Sequence, residues 1–189
     1  MSDSLRIPIL LGSVREGRMA EPVGHWVHEA AAAHPGLACE IVDLKAWNLP
    51  FYAYPKPPAA GHYADPLQQR WAETIAAADG FILIAPEYNH GPSAVLKNAL
   101  DTVYAEWNRK PCAFVSYGGV GGARAVEQLT CTARELQMAP IEAAVHLMGV
   151  WGKVHDGRFA PDERDARALD KLFTELLWWG QALKAAREG

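Results

Sequence analysis

Short apolar runs separated by stretches of helical periodicity dominate this chain, and that alternation restricts its fold more than any other feature. Leu5 to Leu11 is dense in Ile and Leu and stops at Gly12, the pattern of a buried strand. Beyond it Val23, Trp26, Val27 and Ala30 recur at i, i+3, i+4 and i+7, so Arg18 to His34 reads as a helix with one apolar face, ended by Pro35-Gly36. Leu37 to Val42 is a second candidate strand. Asp65 to Ala78 carries Leu67, Trp71 and Ile75 on a second helix, and Phe81 to Ala85 is the clearest buried strand of all. Leu96, Ala99, Leu100 and Val103 mark a third helix, Ala113 to Ser116 a fourth strand, and Val126, Leu129, Ala133 and Leu136 a fourth helix. Ile141 to Leu147 supplies a fifth strand. Leu169, Leu172, Phe173, Leu176 and Leu183 then form a long closing helix after Pro161-Asp162.

Strands joined through helices run parallel, and right-handed crossovers distribute the helices over both faces of the sheet. The expected architecture is therefore one α/β domain over residues 1–189, a three-layer sandwich around a five-stranded parallel sheet in the flavodoxin-like order 2-1-3-4-5. Two stretches break the alternation. Lys45 to Ala64 holds Pro50, Pro55, Pro57 and Pro58 with Trp47, Phe51, Tyr52 and Tyr54, too long for an ordinary strand-to-helix turn, and is either a binding wall or a surface excursion. Gly149 to Pro161 contains Asp156-Gly157, the signature of a small hairpin.

Composition removes whole classes of function. Eighteen basic and twenty-two acidic residues give a net charge of −4 with no run of like charge, which disfavours a nucleic-acid partner. Nothing approaches a membrane span and the N-terminus lacks a basic leader, so the expected location is cytoplasmic with no membrane partner. Cys39, Cys112 and Cys131 have no C-x-x-C spacing and read as reduced thiols. His25 and His28 sit at i and i+3 without a carboxylate cluster and read as ordinary histidines, so no metal is expected.

In an open α/β sheet, ligands bind beyond the carboxyl ends of the strands where the strand order reverses. Order 2-1-3-4-5 makes neighbours of the loops after strands 1, 3 and 4, and these are the unusual loops of the chain. Gly12 to Ala20 joins a strand to a helix start, with Ser13 as a hydroxyl donor and Arg15 or Arg18 as a guanidinium for an anion. It matches neither the Walker pattern, which needs Lys and Ser or Thr where Arg18 and Met19 stand, nor G-x-G-x-x-G, which fails at Val14; a phosphotransferase is disfavoured accordingly. Pro86-Glu87-Tyr88-Asn89-His90-Gly91-Pro92 is a stiff loop able to present fixed backbone donors and acceptors to a flat heterocycle. Ser116-Tyr117-Gly118-Gly119-Val120-Gly121-Gly122 concentrates glycine where a ligand or backbone must come close.

Leu11-Gly12-Ser13-x-Arg15, then Pro86-Glu87-Tyr88-Asn89 followed by Leu96-Lys97-Asn98-Ala99-Leu100-Asp101, then the Ser-x-Gly-Gly loop leading to Gly121-Gly122-Ala123-Arg124, resembles the NAD(P)H-dependent FMN reductase family over residues 5 to about 147. The resemblance implies a flavodoxin-like, dimeric or tetrameric flavoprotein that takes electrons from NADPH or NADH and passes them to a quinone, azo compound, metal oxyanion or free flavin. It implies that Ser13, Arg15 and the turn Arg18, Met19 and Ala20 hold the FMN phosphate. Pro86, Glu87, Tyr88 and Asn89 would line the isoalloxazine, and Ser116, Tyr117, Gly118 and Gly119 would close its other edge. Many members carry Ser and Asn where this chain has Arg18 and Ala20, which leaves Arg18 to take over those contacts. No side chain is implied as an acid or base. The competing reading is a flavodoxin-type electron carrier without its own NAD(P)H activity; the modest charge and the Arg-containing loop weigh against it. Lys97, Asn98 and Asp101 read equally as anchors of the flavin loop or an interface and as a solvated face. Finally, Trp107, the adjacent Trp178 and Trp179, and the aromatic run from Trp47 to Tyr54 exceed what one core stripe buries, so a homodimer or homotetramer is expected.

Overall fold

The run Phe81 to Ala85 forms the middle of the sheet, covered on both faces, which is why it is apolar at every position. The computed structural model describes residues 4–189. In chain order the elements are β1 (Leu5–Leu11), α1 (Ala20–Ala31), β2 (Leu37–Asp43), the single turn α2 (Leu44–Trp47), α3 (Pro66–Ala76), β3 (Phe81–Tyr88), β4 (Gly91–Pro92), α4 (Ala94–Asp101), β5 (Pro111–Tyr117), α5 (Ala123–Glu135), β6 (Ala139–Pro140), β7 (Val145–Leu147), β8 (Val154–His155), β9 (Arg158–Phe159) and α6 (Glu163–Glu188). The sheet order is β2-β1-β3-β5-β6, all parallel, with β7 continuing beside β5 and the short β4 folded back antiparallel on β3. This is the expected order, with the fifth strand in two pieces.

Alternation along the strands sorts the core into two layers. Ile7, Ile9 and Leu11 of β1, Ile82 and Ile84 of β3 and Val115 of β5 pack under α1 and α6 against Val23, Val27, Leu172 and Phe173. Leu10, Phe81, Leu83 and Phe114 face the opposite side, against Trp71 and Ile75 of α3, Leu96 and Leu100 of α4 and Leu129 of α5. Helix boundaries follow side-chain caps: Asp65 accepts from the Leu67 and Gln68 N–H groups, Ser93 from Leu96, and Asp162 and Asp165 make a reciprocal capping box on α6.

The structure corrects the sequence reading in three places. The fifth strand is not continuous from Ile141 to Leu147: after Pro140, which has no N–H to donate, Glu142 and Ala143 give their N–H groups to the Glu175 carboxylate of α6, at 3.1 and 3.0 Å, instead of to the ladder. α1 begins at Ala20 rather than Arg18, because Arg18 belongs to the preceding loop, and ends at Ala31, short of His34. Trp107 needs no partner chain: it is fully buried, its ring 4.7 Å from Phe81, and its Nε1–H donates to the Leu100 carbonyl at 3.1 Å. Of the adjacent pair on α6, Trp179 packs against the core while Trp178 is 63% exposed. The Asp156-Gly157 hairpin forms as read, β8 against β9, with both turn residues at positive φ. Among the described residues no helix is long and apolar enough to cross a membrane.

Candidate functional site

The loops after β1, β3 and β5 meet at the carboxyl edge of the sheet. Gly12 opens the first by donating its N–H to the Ile84 carbonyl at 3.0 Å. A Cβ at this position would lie 2.5 Å from that same oxygen, so the approach requires glycine. Its carbonyl accepts from the Ser93 hydroxyl at 2.6 Å, and Ser93 also caps α4. One serine thereby fixes the start of the loop to the start of a helix.

Ser13 is buried, and its Oγ lies 2.8 Å from the Tyr88 hydroxyl. Arg15 extends over the Tyr88 ring, its guanidinium carbon 5.7 Å from the centroid, and makes no ion pair among the described residues. Burial pushes the Tyr117 phenol above its ordinary range, with Tyr88 adding to the shift and Arg15 and Ser13 opposing it, so Tyr117 stays neutral beside Ser13. Met19 begins α1 without a side-chain cap, leaving the positive end of a twelve-residue helix open beside these groups, and Ala20 is buried in its first turn. A hollow of about 110 Å³ lies among Arg15, Arg18, Met19, Glu87, Tyr88, Tyr117, Gly118 and Trp151.

Arg18 has a different role from the one its position suggests. Its guanidinium is buried and grips Asp43 in bidentate fashion, at 2.6 and 2.7 Å, while donating at 2.7 Å to the Ser13 carbonyl. Longer contacts reach Glu21. These bonds brace the loop from within, and Arg18 also borders the hollow. Asp43 ends β2 and also accepts from the Lys45 N–H at 2.9 Å, so the same carboxylate starts α2. The Arg18 hydrogen bonds hold the Asp43 carboxyl below the usual carboxylate range against the opposing pull of burial.

The second loop is a tight hairpin whose turn residues, Asn89 and His90, both have positive φ. Pro86 is buried beside Tyr117 in the ladder. Glu87 borders the hollow with its charge already engaged: its carboxylate, 3% exposed, pairs with the Arg124 guanidinium and accepts from the Arg124 backbone N–H at 3.2 Å. Burial alone would raise the Glu87 carboxyl, but Arg124 outweighs it and holds the group below its ordinary value. In the third loop Ser116 is fully buried, 2.7 Å from the Gly121 carbonyl and 2.8 Å from His146 Nδ1, and it closes the loop on itself. Gly122 starts α5 at φ 79°, where a Cβ would fall 2.7 Å from Tyr117 N. Gly118 is buried against Glu87, and Gly119 lies open at the rim. Ser13, Arg15, Arg18, Met19, Ala20, Glu87, Tyr88, Tyr117, Gly118 and Gly119 are thus brought together at one edge, with Pro86 and Asn89 flanking; the Arg18, Glu87 and Ser116 side chains are engaged with Asp43, Arg124 and His146.

Residues 5–152 match the NADPH-dependent FMN reductase family. The chain belongs to that family. It is 40% identical over 146 residues to an NAD(P)H-dependent FMN reductase of Schizosaccharomyces pombe, covering 75% of this chain and 73% of the relative. It is 31% identical over 133 residues to a 2-hydroxy-1,4-benzoquinone reductase of a Burkholderia species, 67% of this chain and 68% of that one. Among solved structures, the flavoenzyme NAD(P)H:(acceptor) oxidoreductase FerB of Paracoccus denitrificans superimposes with a TM-score of 0.76 at 20% identity, covering 94% and 98% of the two chains, a likeness of fold. Asp43 and His146 gave no sign of a place at the site in the sequence, and Arg124 stood in the third loop's motif without a visible partner. Asp43 and Arg124 find their partners across 25 and 37 positions, and His146 faces Ser116 only through strand register. The available signal was their place: each stands at the carboxyl end of a strand or the start of a helix at the switch point.

Asp43→Asn tests the brace. Because Arg18 depresses the Asp43 carboxyl relative to the unfolded chain, the pair stabilises the fold above about pH 4 and loses that contribution as pH falls through the lower folded value. The variant should lose about 1.5–3 kcal/mol of unfolding free energy at pH 7, with the gap to wild type closing toward acid. A gap independent of pH in denaturant titrations would contradict the assignment.

Proposed function

We propose that this chain is an FMN-dependent oxidoreductase that draws electrons from NADPH or NADH and delivers them to small quinone-like acceptors. The carrying observation is the anion cradle: Arg15, without an ion pair among the described residues, and the uncapped start of α1 at Met19 border one hollow, with the buried Ser13 hydroxyl behind it 2.8 Å from Tyr88. A phosphate monoester suits this donor set, since each donor is stronger toward a charged acceptor. FMN, when bound, supplies the hydride chemistry, accepting from a nicotinamide and giving to the acceptor. Over a turnover NAD(P)H and a proton become NAD(P)⁺ while a quinone becomes its hydroquinone.

In this reading Arg15, Ser13 and the Met19–Ala20 helix start hold the phosphate. Arg18 keeps the loop in shape behind them. The backbone of Pro86 to Asn89 and of Tyr117 to Gly119 flanks the ring, and Arg124 neutralises Glu87 so that no lone carboxylate lies beneath it. The name of the Burkholderia relative supports a quinone acceptor over an azo compound, a metal oxyanion or free flavin.

Arg15→Ala should weaken FMN binding by about 1–3 kcal/mol and leave riboflavin, which has no phosphate, nearly unaffected. Equal losses for the two flavins would place Arg15 away from the phosphate.

A single shared face for nicotinamide and acceptor makes the kinetics ping-pong. Initial-rate lines at several acceptor concentrations should then be parallel, and intersecting lines would require both substrates to bind together.

We also infer a homodimer or a dimer of dimers, with a neighbour close to Tyr88 to His90. Its support is the exposure of Trp151 and Phe51 around the site and of Trp178 on α6, at 59%, 76% and 63%. Light scattering at micromolar concentration should give at least twice the 20.7 kDa chain mass. A fully active monomer would refute the assembly.

A further inference from the structure

A second hollow lies across Tyr88 from the phosphate cradle. It encloses about 400 Å³ between α2 with Leu49 and Phe51 on one wall and the first turns of α4 on the other. That volume lies within the range of small-molecule sites. Leu44 and Leu49 supply apolar surface, and Phe51 stands at the mouth with 76% of its surface uncovered.

The wall is built to hold its shape. Asn98 donates its amide to the carbonyls of Pro50 and Leu49, at 2.9 and 3.3 Å, and accepts from the Tyr52 N–H at 3.0 Å. Both ends of that amide are engaged in tying the long proline-rich connection to α4. Ser93 is likewise committed to Gly12 and Leu96. The exposed Lys97 and Asp101 pair with each other at 2.6 Å along α4.

What the hollow leaves free is charge of one sign. Its only charged lining residues are Arg15 and Lys45; no carboxylate lines it, and neither cation has an ion-pair partner among the described residues. With Arg15 assigned to the phosphate, Lys45 remains for a second ligand.

We propose that this hollow is an acceptor subsite for planar aromatic anions, such as hydroxyquinones ionised at neutral pH, and that Lys45 selects their charge. The flat ring enters between Phe51 and Tyr88, where apolar and aromatic contact favours it. The ionised oxygen faces the Lys45 ammonium. The redox role of the subsite, and the choice of Lys45 over Arg15 as the anion's partner, rest on the flavoenzyme reading above; that the hollow offers only positive charge to an anion does not. In the reduction itself the ionised hydroxyquinone gains a hydride and one proton to become the monoanion of the hydroxylated hydroquinone, which takes a second proton from solvent, with NAD(P)H as the source of the electron pair.

Calorimetry with naphthalene-2-carboxylate, a planar anion that accepts no electrons, tests binding to the FMN-loaded full-length chain. Wild type should bind it, Lys45→Glu should bind it about tenfold more weakly, the scale of one charge-assisted hydrogen bond, and Lys45→Arg should restore most of the affinity. Phe51→Ala, which leaves the charge in place, should weaken it as well. In turnover, the ratio of kcat/KM for 2-hydroxy-1,4-naphthoquinone to that for the uncharged 2-methyl-1,4-naphthoquinone should fall about tenfold in Lys45→Glu. Failure of the wild type to bind naphthoate, or equal binding by Lys45→Glu, would overturn the subsite. A chain that binds naphthoate through Lys45 but takes up no FMN would instead sink the flavoenzyme reading and leave the anion site standing.

Discussion

The site depends on one backbone contact, the hydrogen bond from the Gly12 N–H to the Ile84 carbonyl where the strand order reverses. β1 and β3 pair in parallel with α1, β2, α2, a long connection and α3 between them in sequence, so their carboxyl ends lie side by side and the chain leaving β1 must pass close to the end of β3. The contact takes place at a separation that leaves no room for a side chain on residue 12. Ser93 then fastens the Gly12 carbonyl to α4, and from that junction the loops at Ser13, Tyr88 and Tyr117 acquire fixed relative positions.

Charge pairing around this junction leaves a selective remainder. Asp43 is neutralised by Arg18 and Glu87 by Arg124, each through charge-assisted hydrogen bonds at largely buried positions. Removing either guanidinium would strand a carboxylate in a poorly hydrated place. Among the described residues Arg15 and Lys45 have no such partner, so a chain whose net charge is −4 presents positive charge where the loops converge. Arg15 and Arg18 stand three residues apart in one loop, yet one faces inward to a strand end and the other outward to the hollow. Local sequence does not distinguish them; the position of Asp43 does.

Much of the frame was legible because its causes are local. Short continuous apolar runs located β1 and β3, period-3.6 patterns located the apolar faces of α1, α3 and α5, and the turn chemistry of Asp156-Gly157 announced its hairpin. The break in the fifth strand was not legible, since it depends on Glu175, which lies on α6 and takes N–H groups that would otherwise join the ladder. Trp107 read as surplus aromatic surface because nothing nearby in sequence shows that Phe81 and Leu100 enclose it. The three loops of the site were legible from their residue types and their place after strands. Which side chains pair within the protein was not, because Arg18, Glu87 and Ser116 each find partners on other elements.

The measurement that bears most directly on the proposed activity is the visible absorption spectrum of the purified protein titrated with FMN and then, without oxygen, with NADPH. The account predicts binding that saturates at one FMN per chain and a flavin band that bleaches on adding NADPH far faster than for free FMN. FMN that fails to bind, or that binds and keeps its oxidised spectrum in the presence of NADPH and NADH, would contradict it.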